Sequence, residues 1–473
     1  MTLRELMGGD APRSGDVEIT GLHYRSSEVR PGGLFFCVPG FKADGHDFAP
    51  DAAARGAAVV VCERPLGLEV PEVVVPSVRQ AMGPVAARFF GDPTASLQVV
   101  GITGTNGKTT TAFLTRAILE RAGIRTGLLG TVKSVVGGVE EPVERTTPEA
   151  VDLQATFRRM LDAGDRACAM EVSSHALELG RAEGIRFACR AFTNLSQDHL
   201  DFHLSMEAYF MAKRRLFEGG GPAVVNIDDD YGNWLADDVS GALTYGVDKR
   251  ADYRAHDVRF DPAGSTFTCE TPDGPVAVET RLPGLFNVQN ALAALAAART
   301  LGVELHVATA ALAEAERVPG RFEPVDEGQP FTVLVDYAHT PEALDNVLRA
   351  ARELTGERKG RLHVVFGAGG DRDRAKRPLM GRAAAAQADR VIVTSDNPRS
   401  EDPDAIIDEI LAGTGPGVER ETDRRRAIAL AVEGAAPGDV VVVAGKGHEQ
   451  GQELADGRKE PFDDVTVVRE ALR

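Results

Sequence analysis

Residues 97–118, LQVVGITGTNGKTTTAFLTRAI, decide the fold class of this chain. Residues 97–102 form a short, mostly apolar run that predicts a buried strand, and the apolar side chains after Thr109 recur at helical spacing. The Gly-rich turn 104–110 lies between them. Backbone N–H groups in such a turn converge on phosphate oxygens, and the N-terminus of the following helix adds a favourable dipole. The sequence therefore predicts a strand–loop–helix unit that binds nucleotide phosphates.

The loop also contains side chains suited to a triphosphate. Lys108 is predicted to reach the β- and γ-phosphates, and the Thr109 hydroxyl is predicted to bind Mg²⁺. The spacing departs from the strict G-x-x-x-x-G-K-[ST] pattern, because the first Gly of that pattern would fall at Ile102. The loop alone leaves kinase, motor, GTPase and ligase open. The predicted ATP-binding residues of the loop are Gly104, Thr105, Asn106, Gly107, Lys108, Thr109 and Thr110.

Turn residues divide the chain into three predicted domains. Residues 1–96 hold short β-like runs separated by Gly/Pro turns, and residues 97–318 hold the phosphate loop and a predicted helix at 287–301. Residues 319–473 alternate strands and helices, which is typical of a doubly wound, Rossmann-like sheet. The predicted fold class is therefore α/β in three domains, with a mostly parallel sheet in the central P-loop domain.

Composition restricts the partners and the compartment. The chain has 473 residues and a net charge of −18, and this acidic balance argues against nucleic-acid binding. No apolar run has the ~20 residues that a membrane helix needs, and the N-terminal residues lack a signal-peptide core. The five cysteines are scattered, which argues against a disulfide framework or a zinc site. We expect a cytoplasmic protein that acts on small molecules, and a monomer because single linkers join the domains.

Four further segments accompany the phosphate loop in a recognisable order. They are 170–175 (MEVSSH), 193–201 (TNLSQDHLD), Ala212-Lys213, and Leu285-Phe286-Asn287 followed by Asn290. Together with 103–111 (TGTNGKTTT), they resemble the Mur ligases, and the resemblance extends across all three predicted domains. It implies an ATP-dependent amide ligase of peptidoglycan-precursor synthesis. Such an enzyme activates a carboxylate as an acyl phosphate, which an amine then attacks.

The resemblance implies a catalytic centre in which cations screen one carboxylate and three phosphates. Lys108 would bind phosphate, and Glu171 and His199 would bind the second of two Mg²⁺ ions. Lys213 matches a family lysine that CO₂ carbamylates, and the resulting anion would ligate or position the metal. A lysine whose pKa is lowered by nearby cations supplies the neutral amine that CO₂ needs.

Four more residues match the family's nucleotide site. Asn287 and Asn290 would flank the adenine. Arg321 lies in the predicted hinge into the third domain, where its guanidinium could clamp a phosphate. Asp336 ends a predicted strand and would contact the ribose.

The first predicted domain resembles the family's UDP-binding domain. The family pattern DSR-x-V-x-PG-x-LF appears at 25–35, where Ser26 is kept but Arg25 and Ser27 replace the Asp and Arg. Other hydroxyls and one guanidinium match positions that hold the sugar–peptide part, and they suit phosphate and carboxylate oxygens. The predicted residues for the UDP-muramoyl dipeptide are Ser26, Thr146, Thr147, Ser173 and Arg181.

The third predicted domain indicates the incoming amino acid. In the family, the DNPR sequence found here at 396–399 marks enzymes that add meso-diaminopimelate. Arg399 can grip the far carboxylate of diaminopimelate with two parallel hydrogen bonds, and lysine lacks that carboxylate. Arg372 is a candidate for a second carboxylate, and other polar groups could accept from ammonium groups. The predicted residues for diaminopimelate are Arg372, Asp396, Asn397, Arg399, Gly445 and Glu449.

Four alternatives stay open at this point. Addition of lysine or another diamine is disfavoured by the DNPR sequence. A folate polyglutamate ligase fits the first domain and the His/Lys metal motif less well, and a P-loop phosphotransferase or motor has no use for a uridine-binding domain. A non-catalytic regulator would not need Lys108, Glu171, His199 and Lys213. We therefore predict a ligase that joins meso-diaminopimelate to the D-glutamate side chain of UDP-N-acetylmuramoyl-L-alanyl-D-glutamate.

Overall fold

A computed structural model describes residues 1–8, 17–40, 43–356 and 360–473 of the chain. The described chain forms two compact units. Unit 1 comprises Met1–Thr103, Gly123–Arg190 and Arg215–Gly221, and unit 2 comprises Gly104–Ala122, Ala191–Arg214 and Pro222–Arg473. The strand Phe187–Phe192 carries the chain from the first unit into the second.

Unit 1 begins with a four-stranded parallel sheet, whose strands run in the order Gly21–His23, Gly33–Phe36, Ala57–Cys62 and Glu72–Val74. Apolar side chains on the two faces of this sheet enter separate buried clusters, as the alternation along a strand requires. The helices of this part of the unit are Leu3–Met7, Ala49–Ala54 and Val78–Phe89.

A second group of strands in unit 1 positions the polar residues after Glu171. The strand Gln98–Thr103 pairs in parallel with Ala167–Glu171, and Ile102 lies opposite Glu171. Because parallel strands share a carboxyl end, the residues after each strand emerge at the same edge. The other strands of this group are Thr126–Leu129, Ser134–Val136 and Val139–Glu141, and its helices are Ala150–Asp162 and Ser174–Glu178.

Unit 2 contains the helix that follows the phosphate loop, Lys108–Arg121. This helix packs on the Ala-rich helix Leu285–Thr300. The presence of that second helix confirms the prediction of a helix at 287–301. The strands beside them are Ala223–Asn226, Leu243–Gly246, Tyr253–Asp261, Gly264–Glu270 and Val276–Thr280. The remaining helices of this part are Leu200–His203, Met206–Arg214, Asp230–Asp238 and Leu305–Glu314.

A six-stranded sheet forms the C-terminal part of unit 2. Only the first strand is antiparallel to its neighbour, and the other pairings are parallel. In sheet order the strands are Glu323–Val325, Thr332–Asp336, Val440–Ala444, Leu362–Phe366, Arg390–Val393 and Glu419–Arg420.

Helices cover both faces of this sheet. Val364 packs with three helices on one face, and its neighbour Val365 packs with two helices on the other. The first set is Pro341–Thr355, Lys376–Gln387 and Pro403–Leu411, and the second set is Arg424–Glu433 and Asp464–Ala471. This confirms the doubly wound α/β arrangement predicted from the alternation of strands and helices.

A short hairpin, Gly451–Glu453 paired with Lys459–Pro461, was not predicted from the sequence. Among the described residues, none of the helices has both the length and the apolar character needed to span a bilayer.

Candidate active site

The phosphate loop needs glycine at two positions. Gly104 and Gly107 have φ values of +148° and +85°, which favour glycine. A Cβ atom at Gly104 would collide with the Thr193 hydroxyl, and one at Gly107 would collide with the Asn290 side chain. The loop therefore packs tightly against two other segments of unit 2 that the sequence assigned to the same site.

The segment 193–196 fixes the shape of the loop. The Thr105 and Asn106 N–H groups donate to the Asn194 backbone and side-chain oxygens at 2.8 and 2.9 Å. The Ser196 N–H donates to the Thr105 hydroxyl at 3.0 Å. The predicted ATP loop and the TNLSQDH segment thus form one hydrogen-bonded structure.

Two lysines meet at the Gly104 carbonyl. Lys108 Nζ donates to the Gly104 and Thr105 carbonyls at 3.0 and 2.8 Å, and Lys213 Nζ donates to the Gly104 carbonyl at 2.7 Å. The Lys213 amine is buried and lies 4.5 Å from the centre of the Tyr209 ring. Burial, followed by the nearby Lys108 charge, lowers the pKa of Lys213 well below its usual value. This lowering favours the uncharged form of the Lys213 amine.

Asp198 is a buried anion next to the predicted metal ligand His199. Its carboxylate lies 3.5 Å from His199 Nε2, 3.6 Å from His339 Nε2 and 3.3 Å from Lys376 Nζ. Burial alone would raise the pKa of Asp198. The neighbouring His339 ring and the charges of Lys376 and His199 outweigh that effect and hold the pKa well below its usual value. Sequence reasoning missed this cluster.

The predicted adenine residues lie against the helix that follows the loop. Thr111 Oγ1 donates to Asn290 Oδ1 at 3.4 Å, and Asn290 Nδ2 donates to Asn287 Oδ1 at 3.2 Å. Asn287 Nδ2 in turn donates to the Pro283 carbonyl at 2.8 Å. Both asparagines are buried, and these hydrogen bonds fix the orientation of their side chains.

Arg321 connects the hinge segment to the loop. Its guanidinium donates to Thr109 Oγ1 at 3.1 Å and lies 4.3 Å from the centre of the Tyr337 ring. The predicted phosphate clamp therefore contacts the hydroxyl that was predicted to bind Mg²⁺.

Asp336 is engaged by the backbone. Its carboxylate accepts hydrogen bonds from the Phe322 and Ala338 N–H groups at 2.6 and 2.7 Å. Burial raises the pKa of this carboxyl, and Arg321 and the two N–H groups oppose that effect. Asp336 thus fixes the backbone of the hinge segment, and its contact with the ribose stays a prediction.

Unit 1 gathers a second set of predicted residues around Glu171. The buried Glu171 carboxylate accepts from the Thr131 N–H at 2.7 Å and from the Thr131 hydroxyl at 3.1 Å. That hydroxyl lies 3.0 Å from the Thr146 hydroxyl. Thr147 Oγ1 donates to the Glu171 carbonyl at 2.9 Å and accepts from the Ser173 N–H at 3.1 Å. Thr131 is a member of this set that the sequence did not reveal.

Three arginines of unit 1 converge on Glu149. Arg181 Nε and an Arg145 N–H group lie 3.0 and 2.9 Å from Glu149 Oε1, and Arg79 lies 3.7 Å from Oε2. Arg181 also donates to the Thr147 carbonyl at 3.3 Å. The Glu149 carboxylate therefore holds three guanidinium groups together, and one of them also contacts the predicted substrate residue Thr147.

A cavity of about 390 Å³ opens in unit 1 next to these groups. Thr146 is the predicted substrate residue among those that line it, whereas Ser26, Thr147, Ser173 and Arg181 are not in the lining. Arg25, one of the two departures from the family pattern, does line the cavity. The other polar and charged residues that line the cavity are Tyr24, Glu28, Ser134, Glu141, Glu144, Arg145, Glu149, Asp152 and Thr156.

The predicted diaminopimelate residues follow strand ends of the six-stranded sheet. Asn397 Nδ2 donates to Glu449 Oε2 at 2.8 Å. Arg399 Nε donates to Glu453 Oε2 at 2.9 Å, and Arg399 Nη1 donates to the Gly370 carbonyl at 2.7 Å. Glu453 lies in the unpredicted hairpin, so sequence reasoning missed this partner.

Three further residues of the predicted set border this group. The Gly445 Cα lies so close to the buried Asp396 carboxylate that a Cβ atom would collide with it. Arg372 is exposed, and a Cβ atom placed on Gly369 would lie 3.0 Å from Arg399 Nη1 and 3.8 Å from Arg372 Cγ. The two arginines therefore border the same space beside Gly369.

Comparison with known proteins identifies the family. Residues 18–90 match the model of the Mur ligase family catalytic domain, 102–298 match the Mur ligase middle domain, and 320–447 match the Mur ligase glutamate ligase domain. The chain is 46% identical over 484 residues to a UDP-N-acetylmuramoyl-L-alanyl-D-glutamate–2,6-diaminopimelate ligase of Geobacillus thermodenitrificans, with 100% of this chain and 98% of the relative covered. It is 47% identical over 489 residues to the protein of the same name from Streptomyces coelicolor, with 100% and 96% covered.

Solved structures agree. A structure of a UDP-N-acetylmuramoyl-L-alanyl-D-glutamate–2,6-diaminopimelate ligase superposes with a TM-score of 0.72 at 36% identity, covering 100% of this chain and 98% of that chain. The MurF ligase of Thermotoga maritima in complex with ADP shares the fold, with a TM-score of 0.65, 20% identity and 96% and 97% covered. The full-length matches and the three matched family models establish that the chain belongs to the Mur ligase family.

Proposed function

We propose that this chain is an ATP-dependent ligase that joins meso-2,6-diaminopimelate to the D-glutamate side-chain carboxylate of UDP-N-acetylmuramoyl-L-alanyl-D-glutamate. The full-length similarity to relatives of that name supports the proposal. The observation that carries it is the arrangement of unit 2. There the phosphate loop, the hinge arginine that contacts it and the Asn397–Glu449 and Arg399 groups belong to one compact unit.

The proposed reaction has two steps, and the first brings the negatively charged carboxylate and ATP together. The glutamate carboxylate oxygen attacks the γ-phosphorus of ATP and ADP leaves, and the uncharged amine of diaminopimelate then attacks the acyl phosphate and inorganic phosphate leaves. The protein contributes positioning and positive charge. Lys108 and Arg321 lie at the loop, where they can screen phosphates, and the loop N–H groups supply fixed dipoles.

Magnesium fits the proposed ligand residues. We assign Thr109, Glu171, His199 and carbamylated Lys213 as the residues that would hold it. Three of them would offer the oxygen donors that Mg²⁺ prefers, and His199 would offer an imidazole nitrogen. Magnesium supplies charge screening for the phosphates when it is bound. Among the described residues, no three His, Cys, Asp or Glu side chains form a ready-made metal cluster.

Carbamylation of Lys213 by CO₂ has physical support. The amine is buried, it shares the Gly104 carbonyl with Lys108, and its pKa is lowered by burial and by the Lys108 charge. At neutral pH an ordinary lysine, with a pKa near ~10.4, is almost entirely protonated and cannot attack CO₂. The lowered pKa of Lys213 leaves a lone pair available. A carbamate on Lys213 would be an anion, and the nearby Lys108 ammonium would attract it.

Replacing Lys213 with alanine is expected to lower turnover by about 10²- to 10³-fold, because the anion that positions the metal is lost. Formate, acetate or propionate should restore part of the activity by entering the space left by the side chain. The measurement is initial rate against carboxylate concentration. Lys108→Ala is the matched control, since it should lose activity without any rescue. If none of the three acids raises the rate of Lys213→Ala, the carbamate assignment is wrong.

An amino-acid panel tests the proposed function directly. The protein is incubated with ATP, UDP-N-acetylmuramoyl-L-alanyl-D-glutamate and one amino acid at a time, and products are measured by mass. We expect the tripeptide product with meso-diaminopimelate and little with L-lysine. Preferential lysine addition would favour the lysine-adding alternative. ATP turnover that ignores the muramoyl nucleotide would favour a phosphotransferase instead.

The remaining assignments complete the proposal. We divide the chain into a UDP-muramoyl domain at 1–96, an ATP domain at 97–318 and an amino-acid domain at 319–473, in keeping with the matched family domains. We place the enzyme in the cytoplasm, acting as a monomer on small molecules, where ATP and its nucleotide-linked substrate are found.

A further inference from the structure

Lys446 is a charged side chain with no exposed surface, and the nucleotide chemistry above does not use it. It follows the strand Val440–Ala444 and is entirely buried in unit 2. Its Nζ donates to Asn397 Oδ1 at 2.8 Å and to Glu449 Oε2 at 3.1 Å. A buried ammonium group is unfavourable unless anions and acceptors compensate it. Its partners here are two residues of the proposed diaminopimelate site.

The contact with Lys446 decides how the Asn397 amide is oriented. Asn397 Oδ1 accepts from Lys446 Nζ and also from the Glu453 N–H at 2.9 Å, so both of its lone pairs are used. Asn397 Nδ2 donates one N–H to Glu449 Oε2 at 2.8 Å. Within the described residues the second Nδ2 hydrogen has no partner, so it is left for a ligand. Asn397 therefore offers a donor to the substrate, whereas the sequence had suggested an acceptor for ammonium.

The same contact orients Glu449. Its Oε2 atom accepts from both Lys446 and Asn397, whereas its Oε1 atom has one long contact of 3.5 Å with the Tyr337 hydroxyl. The carboxylate is thus held by one oxygen and presents the other. An ammonium group is the natural ligand for an anionic oxygen held in this way.

Lys446 also balances the buried Asp396. Burial would raise the pKa of Asp396, and the charges of Lys446 and Arg424 hold it below its usual value. Arg424 has its own partner, since it forms two hydrogen bonds of 2.8 and 2.6 Å with the buried Asp464. Lys446 therefore contacts Asn397 and Glu449 directly and acts on Asp396 through its charge.

We propose that Lys446 is a positioning residue for the amino-acid substrate, because it fixes Asn397 as a donor to a substrate carboxylate and Glu449 as an acceptor for a substrate ammonium. The proposal rests on the proposed function, which assigns Asn397 and Glu449 to amino-acid binding. Because the donor and the acceptor are fixed, the site accepts a doubly charged ligand in one orientation. A zwitterionic amino-acid end can bind with its carboxylate at Asn397 and its ammonium at Glu449, but not reversed.

Steady-state kinetics of Lys446→Met test the proposal. The variant keeps the length of the side chain but loses its charge and N–H groups. We expect the KM for meso-diaminopimelate to rise about 10- to 100-fold, as for loss of a buried charged hydrogen bond. The KM values for ATP and for the muramoyl nucleotide should stay within about twofold, because Lys446 touches neither proposed site. Lys446→Gln keeps an N–H donor and should show a smaller rise.

A double-mutant cycle separates positioning from simple destabilisation. If Lys446 acts through Glu449, the effects of Lys446→Met and Glu449→Gln on the KM for diaminopimelate will be strongly non-additive. His363→Asn is the matched control. His363 is a buried polar residue of the same sheet that pairs with Asp439 at 3.1 Å, away from the proposed site. It should lower the melting temperature without changing any KM.

Two results would overturn the proposal. One is an unchanged KM for diaminopimelate in Lys446→Met, and the other is an equal rise in all three KM values together with additive effects in the cycle. The amino-acid panel with the wild-type protein tests the proposed function independently of the role of Lys446. If the wild type prefers another amino acid, the proposed function fails, and the same cycle measured with that amino acid still decides the role of Lys446.

Discussion

Lys108→Ala is expected to lower kcat by at least about 10³-fold, which is the largest effect of any single substitution proposed for this chain. The Lys108 ammonium is held by two carbonyls of its own loop, 2.8 and 3.0 Å away, which keeps it at the loop that we propose to bind the β- and γ-phosphates. Alanine would remove the positive charge that, in this proposal, stabilises the transferring phosphoryl group. The backbone of the loop should survive, because its anchors run from Thr105 and Asn106 to Asn194.

The substitution should also act on Lys213. The Lys108 charge is the second cause of the lowered pKa of Lys213, after burial. Without Lys108, the pKa of Lys213 should rise, and a larger protonated fraction should leave less amine for carbamylation. Carbon-13 NMR with labelled bicarbonate can measure the carbamate in both proteins. A weaker carbamate signal in Lys108→Ala would connect the two lysines functionally.

The matched control for this prediction is Lys249→Ala. Lys249 is a partly exposed lysine of unit 2 whose ion pair with Asp230 spans 3.6 Å. Surface pairs of this kind contribute at most about 1 kcal/mol, so activity and melting temperature should hardly change. Turnover by Lys108→Ala above one-tenth of the wild-type rate would show that the loop does not bind the reacting phosphates.

The sequence was informative where local geometry dictates residue type. The loop was predictable because only glycine tolerates the positive φ angles and close contacts at Gly104 and Gly107. The doubly wound sheet was predictable because its four central strands are mostly apolar runs that are largely buried. Each glycine turn and each apolar strand can be recognised from consecutive residues of the chain.

The sequence was uninformative where a site depends on distant segments. Asp198, His339 and Lys376 come together from three parts of the chain, and none of them has a local pattern that predicts the other two. Glu453 was missed because its hairpin strand has three residues, too few for an alternating pattern to be recognised. Lys446 was not predicted as a site residue, because burial cannot be deduced from a single charged residue between glycines.

The first predicted domain departs from the family pattern at two positions near its start. Arg25 and Ser27 replace the Asp and Arg of the family pattern, and Arg25 lines the unit 1 cavity. Arg25 donates to Glu28 at 3.0 Å. Relative to the family pattern, the arginine therefore stands two positions earlier in the chain, and the aspartate is missing.

Arg399→Ala is expected to raise the KM for meso-diaminopimelate by about 10²-fold or more, which is the second large effect. Loss of one partner from a charged hydrogen-bonded pair costs about 2–5 kcal/mol. Arg399 Nε and Nη1 are held by Glu453 and the Gly370 carbonyl, which orient the plane of the guanidinium. A fixed plane favours a planar carboxylate, and lysine offers none at its far end. The preference for diaminopimelate over lysine should therefore fall, and Arg399→Lys should not restore it because an ammonium lacks the planar geometry.

The fold should tolerate this substitution. Arg399 has a φ of +51°, but alanine meets the same backbone restriction as arginine, so no new strain arises. Glu453 loses its ion pair, yet its side chain is 35% exposed and water can solvate it. Arg425→Ala is the control, since Arg425 makes a surface pair with Glu470 and should leave all KM values unchanged. Measured KM values for diaminopimelate, lysine and ATP decide the matter. Equal losses for diaminopimelate and ATP would assign Arg399 to the fold of the domain, whereas a loss confined to diaminopimelate would assign it to the choice of substrate.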